Sequence, residues 1–312
     1  MTPNVKLLRC ARTRVQDPTL NTSTQALQSL IEQLERDASL QRPDRAGERA
    51  DALDRLEILT LSHEPAAGGT IADLLRRAET LRERFEADSA ELHAALRDAI
   101  RRGNGADRLR SIVQGDTGGR APCARGDGYD FLDELLSGIL ELEPPDATEA
   151  HLTSEMVRYQ PTPARHVFDL IARTDLREND VLVDLGSGLG HVPLLVAICT
   201  LARAIGVEIE PAFVECARRS AEALGLERAT FVRQDARSAD FSAGTVFHLY
   251  TPFVGSILRS VLDALREEAA RRAIRVTAFG PCVPVIAGEA WLERVGAAAS
   301  DRLSVFRSRR GG

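Results

Sequence analysis

A glycine-rich segment in the second half of the chain has the composition of a ligand-binding turn. Residues 183–190 read Val-Asp-Leu-Gly-Ser-Gly-Leu-Gly, where an apolar strand gives way to a helix. The glycines let the backbone turn tightly and approach a ligand with no Cβ in the way. The helix N-terminus behind them offers unpaired N–H groups to a carboxylate of a ligand. The aspartate at the strand end can form an ion pair with an ammonium group. The candidate binding residues are Asp184, Gly186, Ser187, Gly188 and Gly190.

Two further acids stand at the ends of the next two predicted strands. Glu208 closes the second strand, where its carboxylate can accept hydrogen bonds from both hydroxyls of a ribose. Asp235 follows the third strand between Gln234 and Ala236, in a position to accept from an adenine amino group. Ligands of open α/β sheets bind at the carboxyl edge of the strands. Together with Asp184, these acids predict a site for a nucleoside ligand with an amino-acid tail.

A glycine-rich turn alone would also suit a dinucleotide enzyme. The dinucleotide pattern requires a small residue at position 191, where this chain has His191. A Tyr-x-x-x-Lys pair is also excluded, because Lys6 is the only lysine. A tight turn that binds no ligand is the remaining alternative, and the three strand-end acids disfavour it.

The elements that must position these residues alternate between strand and helix from about residue 180 onward. Such alternation predicts a doubly wound, mostly parallel α/β sheet with helices on both faces, and the last two strands read as an antiparallel hairpin. The predicted strands cover residues 181–185, 204–208, 230–232, 246–250, 274–279, 291–295 and 303–307, which makes seven. The predicted helices cover residues 192–202, 211–224 and 256–272.

The first part of the chain has helical rather than strand periodicity. Apolar residues recur at helical spacing, a loop is expected over residues 103–128, and a last amphipathic helix precedes Pro144-Pro145. We therefore predict a helical region at 1–145, for substrate recognition or dimerisation, and a catalytic domain at 146–312.

Composition and charge indicate which classes of partner the protein binds and in which cellular compartment it lies. The net charge is −6 overall, with −7 on residues 1–150 and +1 on residues 151–312 by count of the sequence. Without a general basic field, nucleic acid is a disfavoured partner. The five cysteines are scattered, so neither a disulfide framework nor a metal site is predicted. No signal peptide or membrane span is evident, and we expect a cytoplasmic protein.

Residues 151–308 resemble a class I S-adenosylmethionine-dependent methyltransferase. Within that class the chain is similar to the non-SET histone-lysine methyltransferases, the disruptor-of-telomeric-silencing family. The similarity lies in residues 183–192, in Gly206-Val207-Glu208, and in Tyr159-Gln160-Pro161-Thr162, which resembles the family's Tyr-Gly-Glu-Thr loop. The resemblance implies that Tyr159 and Thr162 contact S-adenosyl-L-methionine. Small lysine methyltransferases with a Tyr-x-Pro-Ser/Thr segment are similar too.

The chain departs from that family after the fourth strand. The histone enzymes have Asn-Asn-Phe-Ala-Phe there, whereas this chain has Leu249-Tyr250-Thr251-Pro252-Phe253. The segment also lacks the asparagine of the Asn-Pro-Pro-Tyr/Phe signature found in enzymes that methylate amino groups of nucleic acids. Its position makes Tyr250, Thr251, Pro252 and Phe253 the candidate catalytic residues, with the two aromatic rings as walls of an acceptor channel.

Three functional hypotheses follow from these patterns. The first is methyl transfer to an amine, a protein lysine above all. The second is a small-molecule or natural-product methyltransferase whose helical region caps an enclosed pocket. The third is an inactive cofactor-binding interaction protein, which the complete set of glycines and acids disfavours. The expected partner is a protein or small-molecule methyl acceptor, and a homodimer through the N-terminal helices is a further possibility.

Overall fold

The structure is a computed structural model that describes residues 18–63, 69–115, 129–143, 154–296 and 303–309. Its contacts divide the chain into two compact units, Met1–Asp88 and Ser89–Gly312. The predicted domain boundary at 145/146, like Pro144-Pro145, lies outside the described residues and stays a prediction.

Three helices build the first unit. They are α1 (Pro18–Arg36), α2 (Ala46–Leu61) and the first part of α3 (Thr70–Arg101). Apolar residues three and four positions apart fall on one face of each helix, and these faces bury one another. This confirms the helical periodicity that the sequence indicated. The buried core includes Leu27, Leu30, Ile31, Leu34, Leu56, Leu74, Ala78, Leu81 and Phe85.

The second unit begins within α3, and three described helices after α3 precede its first strand. The first is α4 (Gly105–Gly115), so the predicted loop over 103–128 is wrong at its start. The second is α5 (Phe131–Leu140), which begins at a capping box and ends with Glu141 in the left-handed region. The helical region predicted as 1–145 is therefore divided between the two units.

A seven-stranded sheet forms the centre of the second unit. Its order is β3-β2-β1-β4-β5-β7-β6. The first five strands are parallel, and β7 runs antiparallel to both β5 and β6. The predicted fold class, a doubly wound mostly parallel sheet with an N-terminal helical region, is confirmed. The strands are β1 (Val181–Leu185), β2 (Arg203–Glu208), β3 (Ala229–Arg233), β4 (Val246–Leu249), β5 (Arg275–Ala278), β6 (Leu292–Val295) and β7 (Ser304–Ser308).

Helices cover the sheet, and its central strands β1 and β4 are buried along their whole length. All five residues of β1 are buried, as a strand with both faces covered requires. Among the described residues, no helix is both long and apolar enough to cross a lipid bilayer. The helices of this layer are α6 (Ala164–Thr174), α7 (His191–Cys199), α8 (Pro211–Leu224), α9 (Gly255–Arg271) and α10 (Val283–Ala287).

Local signals fix where these helices start and stop. Glu210 caps α8 by accepting a hydrogen bond from the Ala212 N–H, Pro211 occupies the first turn, and Gly225 ends the helix in the left-handed region. The helix therefore begins shortly after β2, and the last residue of β2 lies at the carboxyl edge of the sheet.

Candidate functional site

The carboxyl ends of β1 to β4 open into one cavity of about 840 Å³. Almost all of the candidate residues from the sequence line it, which brings together positions up to about a hundred residues apart in the chain. The exceptions are Gly188 and Gly190, which are not part of the lining. The predicted residues in the lining are Tyr159, Thr162, Asp184, Gly186, Ser187, Glu208, Gln234, Asp235, Ala236, Tyr250, Thr251, Pro252 and Phe253.

The glycine turn is shaped by close contacts on both sides. Gly186 and Gly188 have φ angles of 75° and 53°, in the left-handed region that side chains disfavour. A Cβ on Gly186 would overlap the ring of Pro252, and a Cβ on Gly188 would overlap the ring of Tyr159. The turn is thus packed between the loop after β4 and the segment before α6, with room for backbone only.

Glu208 connects the end of β2 to this turn. Its Oε2 accepts a hydrogen bond from the Gly188 N–H at 2.8 Å. Its Oε1 accepts from the N–H groups of Ile209 and Glu210 at 2.8 and 2.9 Å. Each carboxylate oxygen has two acceptor sites, so the side chain is held in place and its Oε2 keeps one site for a ligand hydroxyl.

Asp184 and Ser187 lie deep in the cavity wall. The Asp184 carboxyl is 4% exposed, and its burial, with the nearby charge of Glu208, raises its pKa to about 8. The Ser187 hydroxyl is buried with no hydrogen-bond partner in the described part of the chain. Buried polar groups are normally paired. A ligand with a cationic group and further polar atoms would satisfy both residues, so the site fits an amino-acid tail.

The loop after β3 presents a different arrangement from the one expected. Asp235 accepts hydrogen bonds from the backbone and the guanidinium of Arg237, and the side-chain hydrogen bond holds the Asp235 pKa below its usual value. Gln234 donates from its amide to the Ser238 carbonyl at 2.7 Å. These bonds fix the loop at the cavity wall, and Arg237 is a partner that the sequence pattern did not indicate.

A short segment before α6 covers one side of the cavity. Met156 forms an antiparallel bridge with Phe253, and the Val157 N–H donates to the Pro252 carbonyl at 3.1 Å. Further along, the Tyr159 hydroxyl lies 3.3 Å from Nδ1 of His191. Burial lowers the pKa of His191 to about 4, so this imidazole is neutral at physiological pH. The segment is therefore tied to both the post-β4 loop and α7.

The residues after β4 divide into structural and cavity-facing roles. Thr251 has a φ of 43° and is buried. Its hydroxyl donates to the Phe279 carbonyl and accepts from the Cys282 N–H. Phe253 belongs to the apolar core of the second unit and also borders the cavity. Tyr250 lies with its ring centroid 5.3 Å from that of Phe279, at the cavity wall.

Sequence reasoning missed several lining residues. The most notable is Tyr129, which comes from the segment before α5 and donates its hydroxyl to the Pro161 carbonyl at 2.8 Å. The Asp130-x-x-Asp133 capping box marks the start of that helix, but no sequence signal placed it beside the sheet. Phe279 was predicted only as the end of a strand.

Residues 182–279, about a third of the chain, match a family model described as a methyltransferase domain. The chain carries a methyltransferase domain. Its strand order, with an antiparallel seventh strand between β5 and β6, is that of class I. The methyltransferase domain depends on S-adenosylmethionine, whose nucleoside and amino-acid tail agree with the acids and the glycine turn at the strand ends. Within the described ranges, no group of three or more His, Cys, Asp or Glu side chains is arranged to hold a metal ion.

Several solved structures are similar to the methyltransferase over about half of the chain. An RNA methyltransferase from Salinibacter ruber, in complex with S-adenosyl-L-homocysteine, shares 29% identity over 48% of this chain and 92% of its own, with a TM-score of 0.39. A putative methyltransferase, yhhF from Escherichia coli, shares 17% over 52% and 92%, with a TM-score of 0.38.

A precorrin-6y C5,15-methyltransferase from Geobacter metallireducens GS-15 shares 14% identity over 53% of this chain and 96% of its own, with a TM-score of 0.35. At TM-scores below 0.5, such similarities do not identify the methyl acceptor. No curated protein sequence matches the methyltransferase.

Proposed function

We propose that this methyltransferase transfers a methyl group to an amine, and that the amine is a lysine side chain of a protein. The observation that carries the proposal is the chemistry of the cavity next to the glycine turn. Pro252 packs against Gly186, so the post-β4 loop borders the turn directly. Tyr250 and Phe279 continue the wall from there, and Tyr129 lies on the same side. This part of the wall is aromatic and uncharged.

Such a wall suits the proton chemistry of an amine. A lysine in water has a pKa of about 10.4 and must lose a proton before its nitrogen can attack. Burial among aromatic rings disfavours the charged form and lowers that pKa. The phenol oxygens of Tyr129 and Tyr250 can accept N–H bonds and direct the remaining lone pair. S-Adenosylmethionine, when bound, supplies an electrophilic methyl group on its sulfonium. The chain's own task is then alignment and exclusion of water.

The proposed cofactor contacts follow the order of the strands. Asp184 pairs with the ammonium group, Glu208 accepts from a ribose hydroxyl, and Asp235 lies at the adenine end. Backbone N–H groups of the turn face the carboxylate. Tyr159 and Thr162 cover the ligand from the segment before α6. The other proposed contacts are Gly186, Ser187, Gly188, Gly190, Gln234 and Ala236, of which Gly188 acts through its bond to Glu208.

The resemblance to lysine methyltransferases supports the same acceptor. It rests on residues 183–192 and on Tyr159-Gln160-Pro161-Thr162, whose tyrosine packs against the glycine turn. The post-β4 segment differs from those enzymes, so the acceptor must be identified directly.

The test is to identify which atoms receive the methyl group. The purified protein is incubated with methyl-labelled S-adenosylmethionine and cell lysate, and labelled material is analysed by mass spectrometry. We expect label on lysine side chains of proteins, at a rate that rises with pH toward the lowered pKa of the amine. Asp184→Asn serves as the control that weakens cofactor binding. Methyl groups on carboxylates, hydroxyls or carbon atoms would refute the amine acceptor, and label in metabolites alone would favour a small-molecule methyltransferase.

A further inference from the structure

The chain has only three tyrosines, and all three line the same cavity. They are Tyr129, Tyr159 and Tyr250. Tyr159 packs against the glycine turn and lies with its ring 4.9 Å from that of Phe213, on the cofactor side. Tyr129 and Tyr250 are close enough to interact electrostatically, and Tyr129 comes from outside the segment that matches the methyltransferase family.

The position of Tyr129 is fixed by a set of hydrogen bonds between two segments. Its hydroxyl donates to the Pro161 carbonyl at 2.8 Å. Four residues on, the Asp133 carboxylate accepts from the Asp130 N–H and from the Ala164 N–H, both at 2.8 Å. The start of α5 is thus bonded to the segment that covers the cavity and to the start of α6. Tyr129 is held at the cavity wall rather than free to turn away.

The Tyr129 ring can offer both a π face and an oxygen acceptor. Its burial, with the neighbouring Tyr250 as a second cause, raises its pKa to about 12, so it stays a neutral phenol. Its hydroxyl proton is directed at Pro161, which leaves the oxygen lone pairs available. The residue is 51% exposed, so one side of the ring faces solvent at the edge of the cavity.

We propose that Tyr129 is a specificity-determining residue that, with Tyr250, forms an aromatic entrance for a cationic alkylammonium group. The inference rests on the proposed amine acceptor and adds a residue and a selection step to it. An ammonium group over a tyrosine face is attracted by the ring quadrupole, whereas an uncharged alcohol of the same shape is not. The entrance admits the charged amine, and the deeper wall of Tyr250 and Phe279 then desolvates it.

The test measures binding of a small probe in the full-length protein saturated with S-adenosylhomocysteine. n-Butylammonium and the uncharged n-butanol are titrated separately and followed by NMR. We expect the wild type to bind n-butylammonium more tightly than n-butanol. Tyr129→Ala should weaken n-butylammonium binding by about three- to tenfold, in line with a partly exposed cation–π contact. Tyr129→Phe, which keeps the ring but loses the bond to Pro161, should weaken n-butylammonium binding less than Tyr129→Ala does.

A matched control is Leu201→Ala, which truncates an exposed apolar side chain away from the cavity and should change nothing. Equal n-butylammonium affinity in Tyr129→Ala and the wild type would overturn the inference. So would a parallel loss of S-adenosylhomocysteine affinity in Tyr129→Ala, because the residue would then act only on the fold. If Tyr129→Ala weakens n-butylammonium binding as expected but lysine peptides are not methylated, the role of Tyr129 is supported and the proposal of a protein-lysine acceptor is wrong. If peptides are methylated equally by Tyr129→Ala, only the inference fails.

Discussion

Two carboxyl groups, at the ends of β1 and β2, dominate the electrostatics at the glycine-turn side of the cavity. Glu208 is compensated by three backbone N–H groups, but Asp184 is buried without a cation among the described residues. Burial and the charge of Glu208 raise the Asp184 pKa from 3.8 to about 8. The protonated form of Asp184 is therefore favoured in the free protein below about pH 8. The stability that comes with this protonation is present below pH 4 and is lost as the pH rises through about 8.

Cofactor binding should release a proton from Asp184. An ammonium group beside this carboxyl favours its charged form, so binding between about pH 5 and 7 should expel up to one proton per site. Affinity should then rise with pH in this window and level off near pH 8. Calorimetry of S-adenosylhomocysteine in buffers of different ionisation enthalpy measures the release. Asp184→Asn, which cannot ionise, should bind more weakly and release none. An equal release by Asp184→Asn would assign the proton to another group.

The place of the three acids at the cavity could be predicted because strand ends are visible in the sequence. An acid after an apolar strand must lie at the carboxyl edge of a parallel sheet, whichever helices follow. Asp184, Glu208 and Asp235 were found in this way. Tyr129 could not be found, since its place depends on bonds to Pro161 and to the start of α6 that no local pattern encodes.

At the scale of elements, the start of α5 is a hydrogen-bonded junction. Asp133 takes part in the capping box with Asp130 and also accepts from the first N–H of α6. Asp133→Ala would leave two backbone N–H groups without their acceptor, which typically costs ~1–3 kcal/mol for buried donors. We expect the free energy of unfolding to fall by about that amount, measured by urea denaturation. The entrance around Tyr129 should loosen at the same time.

A matched control for this variant is Asp107→Ala. Asp107 also lies in the first turn of a helix, but its side chain is exposed and pairs only with Arg110 on the same helix. Its replacement should change stability by less than about 0.5 kcal/mol. If both variants are equally stable, the Asp133 bonds do not hold the junction.

The strands and long helices of the sheet could be predicted from local pattern, but some connecting elements could not. The apolar run of β1 and the Pro211 start of α8 are strong local signals, and both elements were predicted at their observed bounds. The helix α4 was missed because the stretch around it is rich in glycine, aspartate and arginine, which indicated a loop. Its apolar face packs on α7, and tertiary packing overrides weak propensity.

At the scale of the whole molecule, α5 belongs to the unit that contains the sheet. The Ser220 hydroxyl on α8 donates to the Leu140 carbonyl at 2.7 Å, and Arg97 on α3 donates to the Ile139 carbonyl. The helix also buries most of its apolar side chains in this unit: Phe131, Leu132, Leu135, Leu136, Ile139 and Leu140. The sequence suggested a division near residue 145 because the pattern of elements changes there. Contacts between α5 and the sheet unit are long-range, so the pattern could not reveal them.

The boundary after Asp88, seen in the contacts, and the boundary at 145/146, predicted from the sequence, lead to different expectations for truncated chains. A chain that begins at Ser89 keeps the second unit whole, and its affinity for S-adenosylhomocysteine should stay within about tenfold of the full-length value, or ~1.4 kcal/mol. A chain that begins at Asp146 loses α5. Six buried apolar side chains contribute ~1.5–3 kcal/mol each, which approaches or exceeds the ~5–15 kcal/mol stability of a typical domain.

We therefore expect the chain from Asp146 to be insoluble or to lack a cooperative thermal transition, and calorimetry with circular dichroism measures both chains. A folded chain from Asp146 with full affinity would show that α5 is dispensable and would favour the boundary at 145.

The chain from Ser89 tests the role of the first unit as well. The sequence predicted substrate recognition or dimerisation for residues 1–145, which include this unit. If the unit has that role, the chain from Ser89 should bind cofactor yet lose methyl transfer to the protein acceptor. Full methyl transfer by the chain from Ser89 would show that the first unit is not needed for catalysis. Acceptor selection would then depend on the entrance at Tyr129.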